Sequence, residues 1–278
     1  MNYYKLRDLS PEEKKLPLAK FYENYPLMCL PPLQQQILDA GPMNPAEALD
    51  VHDWLDLLQP PGEYHKVKLG YCMLPDGAGC YCEYTVVPTT DPVQKRWFTQ
   101  FINHRSKNMP ANQGNLRYKL WCPIDHWDRG PADGENPQNG TYAIGSLDQG
   151  KTEPWAHAKE YVHMIDLLEY GLSPEKKESL EAAGCRISAG WEDFENEPGH
   201  HLWIHIDRPC PWGGTEMLGY EWLGYYVKDG KIIRDEATPV DEEVLKGILT
   251  HNIVEHIHLP QILPDLYKAY HDLPIDAD

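Results

Sequence analysis

From about residue 66 to residue 234 the chain is a succession of β-rich runs joined by short turns, and short turns join only antiparallel neighbours. "KVKLGYCML", the turn "PDGAG" and "CYCEYTVVP" read as a hairpin. "GNLRYKLWCP", "EYVHMIDLL" and "HHLWIHIDRP" read as further strands, and "MLGYEWLGYYVKDGKIIR" as two strands around a "KDG" turn. "VQKRWFTQFINHRS" is a helix candidate and "DRGPADGENPQNG" a long polar loop. A long helix closes the chain. Thr238-Pro239 is expected to start it, with Asp241 three after the cap, and Pro260 to end it. An antiparallel sheet with one long C-terminal helix is an α+β plan. A curved sheet wrapped around a helix leaves room for a small ligand between them.

Residues 1–65 follow another grammar, rich in Pro and Leu. Ser10 reads as an N-cap, with Pro11 at the first helical position and Glu13 three after the cap. Asn44 and Pro45 repeat the signal, and Pro60 and Pro61 stop it. The expectation is a helical N-terminal arm over 1–65, serving a homodimer or larger homo-oligomer, ahead of one larger domain over 66–278.

The formal net charge of −18 repels phosphate backbones and anionic lipid surfaces, so neither nucleic acid nor membrane is an expected partner. The opening "MNYYKLRDLS" has no apolar signal region, and the apolar runs are too short to span a bilayer. The seven Cys form no CxxC pair, which fits a reduced, cytoplasmic protein. Cys72, Cys80 and Cys82 lie close in sequence, but nothing supplies a fourth ligand at zinc-site spacing. Nine Trp and seventeen Tyr stand against four Phe, a bias toward rings with a polar tip that suits a flat, partly polar ligand.

"THNIVEHIHLPQILPDLY" places His251 and Glu255 four apart on the helix, so both project from one face. Two side chains at that spacing can reach one metal ion, although an exposed helix face accounts for the same pattern. His258 lies near this face and His256 off it. Further ligands would have to come from the sheet region. His126, beside Asp125 and Asp128, is a candidate, as are the carboxylates of Glu160, at a strand start, and Glu153, in the loop before it.

Together, "RYKLWCPIDHW", "EYVHMIDLLEYGL", "WIHI", "GGTEMLGYEWLG" and "HNIVEHIHLPQILPDLY" resemble the 2,4-diacetylphloroglucinol hydrolase and phloretin hydrolase family, in order and spacing over roughly residues 66–270. The resemblance implies a Bet v 1-like helix-grip fold and a zinc-dependent enzyme that cuts the carbon–carbon bond between an acyl group and a phloroglucinol ring. It places the zinc ligands on His126, Glu160, His251 and Glu255, with Glu153 as the alternative to Glu160. It places substrate contacts on Tyr118, His205 and Tyr220. Three features depart from the family pattern: Glu221 stands where the segment is usually more basic, Arg129 where a smaller polar residue is expected, and "VQKRWFTQFINHRS" keeps Trp97 and Phe98 but lacks the family's fuller tryptophan pair.

The chemistry this implies is a retro-Claisen cleavage. An aryl carbanion is a poor leaving group, but a phloroglucinol carbon can accept a proton and become a keto tautomer, which turns the scissile bond into that of a β-diketone. A zinc ion supplies a polarised carbonyl and an activated water. The expected substrate is a phenolic ketone, phloretin ahead of acetylated phloroglucinols. A helix-grip protein that binds phenolic ligands without catalysis is the alternative of another class.

Overall fold

The computed structural model describes residues 3–4, 8–23, 28–64, 66–88, 91–109, 113–131, 141–144, 159–195 and 198–277. In chain order its strands are β1 (Tyr3–Tyr4), β2 (Met28–Cys29), β3 (Gly70–Met73), β4 (Gly79–Val87), β5 (Asp128–Pro131), β6 (Thr141–Ile144), β7 (Glu160–Met164), β8 (Arg186–Phe194), β9 (His200–Pro209), β10 (Thr215–Leu223), β11 (Tyr225–Lys228) and β12 (Lys231–Arg234). The helices are α1 (Ala19–Glu23), α2 (Pro32–Asp39), α3 (Pro92–Ile102), α4 (Leu116–Lys119), α5 (Pro174–Ala182) and α6 (Glu242–Tyr270). The fold is therefore α+β, with a large antiparallel sheet and a long C-terminal helix.

The chain divides into two compact units. Unit 1 gathers residues 1–31, 90–161 and 254–278, and unit 2 gathers 32–89 and 162–253. Residues 1–65 are thus shared between the units, and the helix α6 contributes its first half to unit 2 and its second half to unit 1.

In unit 2 the strands stand in the order β3-β4-β10-β9-β8-β7. Their register sorts the side chains onto two faces. On one face Tyr220 lies opposite Cys82 and Ile204, Trp222 opposite Cys80 and Leu202, and Leu218 opposite Ile206. These residues form an apolar core with Trp54, Leu57 and Leu58 of the 3-10 turn Val51–Leu57 and its end, and with Leu180 of α5. The other face carries Tyr81, Glu83, His201, Trp203, His205, Gly219 and Glu221, as the same pairings require. The first half of α6 lies on this second face: Asn252 Nδ2 donates to the Tyr81 hydroxyl at 2.6 Å, and a Cβ at Gly79 would fall 2.7 Å from Leu245. A sheet with one greasy face and one buried polar face holds its core on one side and keeps the other for chemistry.

Unit 1 packs Phe98 and Phe101 of α3 and Leu116 of α4 against Leu259, Leu263 and Leu266 of α6. The capping box reads as expected: Ser10 Oγ accepts from the Glu13 N–H at 3.2 Å, and Glu13 Oε2 from the Ser10 N–H at 2.8 Å. Its other carboxylate oxygen meets buried Lys119 at 2.7 Å.

Five expectations change, the first being that "MLGYEWLGYYVKDGKIIR" forms three strands rather than two, because Gly224, at φ 92°, separates β10 from β11. "NLRYKLW" is the short helix α4 and a turn rather than a strand, because Asn115 caps it and accepts from the Arg117 N–H at 3.1 Å. The start of α6 falls at Glu242 rather than Thr238-Pro239, with Asp241 Oδ1 accepting from the Val244 N–H at 2.8 Å. Pro260 does not end α6, which runs through Pro260 and Pro264 to Tyr270. A proline inside a helix costs about 3 kcal/mol. Burial of Leu259, Leu263 and Leu266 returns about 1.5–3 kcal/mol each, so packing offsets the break. Finally, "DRGP" at the head of the polar segment is a strand, β5, paired with β6.

Gly190 shows how tightly the polar face is filled. Its register partner is Trp203, and a Cβ at 190 would lie 2.4 Å from Trp203 Cζ2 and 2.8 Å from the His163 carbonyl. Gly190→Ala is expected to destabilise the fold by about 1–3 kcal/mol through overpacking, measured by urea unfolding.

Candidate functional site

In unit 1 the site is built around His126. Asn115 fastens the segment by donating to the carbonyls of Ile102 at 2.8 Å and Arg129 at 3.0 Å. A turn after α4 closes on Cys122, whose carbonyl accepts from the N–H groups of Asp125 and His126 at 3.0 and 2.9 Å. The His126 ring stacks on Tyr118 with centroids 3.7 Å apart. Its Nδ1 lies 3.1 Å from the Tyr118 carbonyl, and the tautomer that donates there carries its lone pair on Nε2. That Nε2 stands 2.6 Å from Glu255 Oε1, and both side chains are buried.

Two electron-rich atoms at that distance repel unless a cation or a second proton lies between them. A neutral imidazole nitrogen and a carboxylate are also the donor types that hold zinc. The residues present therefore fit a metal ion. Cys122 Sγ lies within 4.8 Å of a His126 ring nitrogen and is a further soft donor. His251 is half-buried on α6, one helical turn before Glu255. Glu160 is half-buried at the first position of β7. Glu153 lies outside the described residues.

Arg129 is built into the same unit. Its Nε donates to Asn103 Oδ1 at 2.8 Å and its Nη2 to Thr141 Oγ1 at 3.1 Å, while the guanidinium lies 5.5 Å from the Tyr118 ring centroid. His258 Nδ1 lies 2.7 Å from the Trp121 carbonyl, and the Trp121 ring meets His126 edge-on.

In unit 2 a row of polar groups crosses four adjacent strands. Tyr81 of β4 donates to Glu221 Oε2, His201 Nδ1 of β9 lies 3.1 Å from Glu221 Oε1, and Glu192 of β8 reaches within 4.8 Å of both His201 and Glu221. Burial, followed by the charge of Glu221 and then of Glu192 and Glu83, holds the Tyr81 phenol well above the ordinary tyrosine range. His205 sits two residues past Trp203 on this face, their rings 4.9 Å apart. Tyr220 does not join it. Its ring stacks on Trp222 in the apolar core, and its hydroxyl accepts from the Leu49 N–H at 2.8 Å. Neighbouring residues of a strand face opposite ways, so Glu221 rather than Tyr220 shares the face of His205. The sequence reading missed Cys122, Tyr81, Glu192 and His201. The signals were a Cys four before His126 and the period-two run His201, Trp203, His205.

Fold and donors together define an α+β protein with His–carboxylate groups of the kind that hold a metal ion. The sequence matches the family described as DAPG hydrolase PhiG domain over residues 49–268, and the chain belongs to that family. It is also similar to a phloretin hydrolase of Eubacterium ramulus, 24% identical over 283 residues that cover 94% of this chain and 93% of that protein.

His258 supplies a pH test of this region. Burial lowers its pKa to about 3, against the bond to the Trp121 carbonyl, which raises it. The unfolded chain takes up this proton near pH 6.5, so below that value the unfolded state binds more protons. The residue's share of stability is present above pH 6.5 and is lost as pH falls toward 3, at up to about 1.4 kcal/mol per unit. Between pH 6.5 and pH 5, His258→Gln is expected to lose about 2 kcal/mol less stability than the wild type in urea unfolding.

Proposed function

We propose that the chain is a zinc-dependent hydrolase that cleaves the carbon–carbon bond between an acyl group and a phloroglucinol ring, with phloretin as substrate and phloretate and phloroglucinol as products. The observation that carries this is the buried His126 Nε2 facing Glu255 Oε1 at 2.6 Å, beside His251 one turn away on α6. Family membership and the similarity to a phloretin hydrolase support the reaction class.

The ligands would be His126, Glu160, His251 and Glu255. When bound, zinc supplies Lewis acidity at the acyl carbonyl and makes water available as a nucleophile at neutral pH. The chain's own residues do the rest. The Tyr118 carbonyl fixes the His126 tautomer through Nδ1. The Tyr118 hydroxyl would hold a ring hydroxyl, as would His205. Water adds across the bond: its oxygen goes to the acyl carbon, giving the acid, and one proton goes to the ring carbon. Arg129, fixed by Asn103 and Thr141, would favour phenolic substrates in their anionic form.

The helix-grip fold is part of this reading, supported by the antiparallel sheet and by the α6 residues that lie on its polar face in unit 2. A cytoplasmic location is supported by six free buried cysteines among the described residues, and no described helix is long and apolar enough to cross a membrane. A homo-oligomer built through the N-terminal residues completes the proposal.

Metal analysis by plasma mass spectrometry, paired with a phloretin hydrolysis assay, tests it. Wild type is expected to carry about one zinc per chain. His251→Ala and Glu255→Gln are expected to lose the metal and about a thousandfold or more in rate. A wild type free of metal after purification without chelator would leave His126 and Glu255 as a buried ion pair, and would favour a non-catalytic protein that binds phenols.

A further inference from the structure

The polar face of unit 2 holds a mismatch that the proposed reaction does not use. Trp203 is more than nine-tenths buried, and its indole N–H has no hydrogen-bond partner. A buried donor without an acceptor has given up water and gained no bond in return. The ring cannot swing away to find a partner, because it fills the space over Gly190 on β8 and lies against His205.

Two residues earlier on the same face stands the complementary group. His201 is buried and its Nδ1 lies 3.1 Å from Glu221 Oε1. In the tautomer protonated on Nδ1, the side next to the carboxylate, Nε2 carries the lone pair and can accept. Among the described residues Nε2 has no hydrogen-bond partner. The carboxylate is in turn fixed by Tyr81, which Asn252 of α6 holds at 2.6 Å. One free donor and one free acceptor therefore stand side by side on a rigid strand, about 7 Å apart at the backbone.

A hydroxyl group has one proton to give and lone pairs to receive. We infer that His201 and Trp203 form a recognition point for a hydroxyl carried on an aromatic ring, the phenol donating to His201 Nε2 and accepting from Trp203 Nε1–H. A ring, rather than an aliphatic alcohol, suits the flanking surfaces: Phe194 meets His201 edge-on at 5.0 Å, and Trp203 and His205 present their own rings. The inference rests on the proposed function for its substrate class, a hydroxylated aryl ketone, and assigns these residues the phenol on the acyl side. It does not depend on the metal.

The test uses the full chain and two probes that differ by one hydroxyl, 3-(4-hydroxyphenyl)propionate and 3-phenylpropionate, titrated by calorimetry into wild type, Trp203→Phe and His251→Ala. Wild type is expected to prefer the hydroxylated probe about tenfold or more, since a site built to hydrogen-bond a hydroxyl rejects the analogue lacking it. Trp203→Phe keeps a flat ring and removes the N–H. It is expected to bring the ratio below about threefold with the phenyl probe's affinity unchanged. His251→Ala is expected to keep the wild-type ratio, so that failure of the zinc reading leaves this result standing. In nitrogen–proton spectra of the wild type, one indole signal, absent from Trp203→Phe, is expected to shift only with the hydroxylated probe, which covers the case of a misfolded variant. Equal affinities in wild type, or a preference that survives in Trp203→Phe, would overturn the inference. So would zinc that displaces the hydroxylated probe from wild type and binds His201→Ala at one equivalent fewer per chain, because Glu192, His201 and Glu221 would then be a second cation site.

Discussion

His126 Nε2 and Glu255 Oε1 face each other at 2.6 Å inside a unit whose other buried groups are mostly apolar. Much of unit 1 serves to hold that pair. Asn115 caps α4 and ties it to Ile102 and Arg129, which fixes the turn that carries His126. The stack of Tyr118 on His126 prevents the imidazole from rotating, and the Tyr118 carbonyl chooses its tautomer. Glu255 is delivered by α6, whose second half is anchored by Leu259, Leu263 and Leu266 despite two prolines. A fixed lone pair beside a fixed carboxylate is poor engineering for stability alone, since replacing such a pair with apolar residues is often neutral or stabilising. The pair has the donor types that hold a metal ion.

Unit 2 solves a different problem. A sheet that packs apolar residues on one face and polar residues on the other must bury both, because the first half of α6 lies along the polar side. Charged groups survive there by holding one another in place. Glu221 accepts from Tyr81, the Tyr81 oxygen accepts from Asn252, and His201 Nδ1 lies 3.1 Å from the carboxylate. These contacts hold the carboxylate in place without a formal cation. The residual mismatch falls on Trp203, where a donor is buried without an acceptor.

The legible parts of the sequence were those governed by local rules. The hairpin β3-β4, the strand β9 and the Ser10 capping box follow from period-two patterning, turn residues and cap chemistry, and the structure forms all three. His251 and Glu255 were legible as a pair because helical spacing is local too. The errors came where tertiary contacts override local preference. Tyr118 sits in "LRYKLW", a β-prone string that becomes a helix because Asn115 caps it and every residue of α4 is buried. Pro260 is a helix breaker by propensity, yet the leucines around it decide the outcome. Tyr220 was expected among the substrate contacts, but the period of two turns it into the apolar core and gives the polar face to Glu221.

That single-residue distinction matters for how specificity arises in such a sheet. Tyr220 and Glu221 are adjacent, but one is a core residue bonded to Leu49 and the other a buried carboxylate 3.1 Å from His201 Nδ1. A substitution at 220 acts on the packing of Trp222 and on the Leu49 segment, and so on stability. A substitution at 221 leaves the core untouched and changes what stands beside His201 Nδ1. The scaffold can therefore alter what its polar face recognises without repacking its apolar face, because the pleat of the strand keeps the two sets of side chains apart.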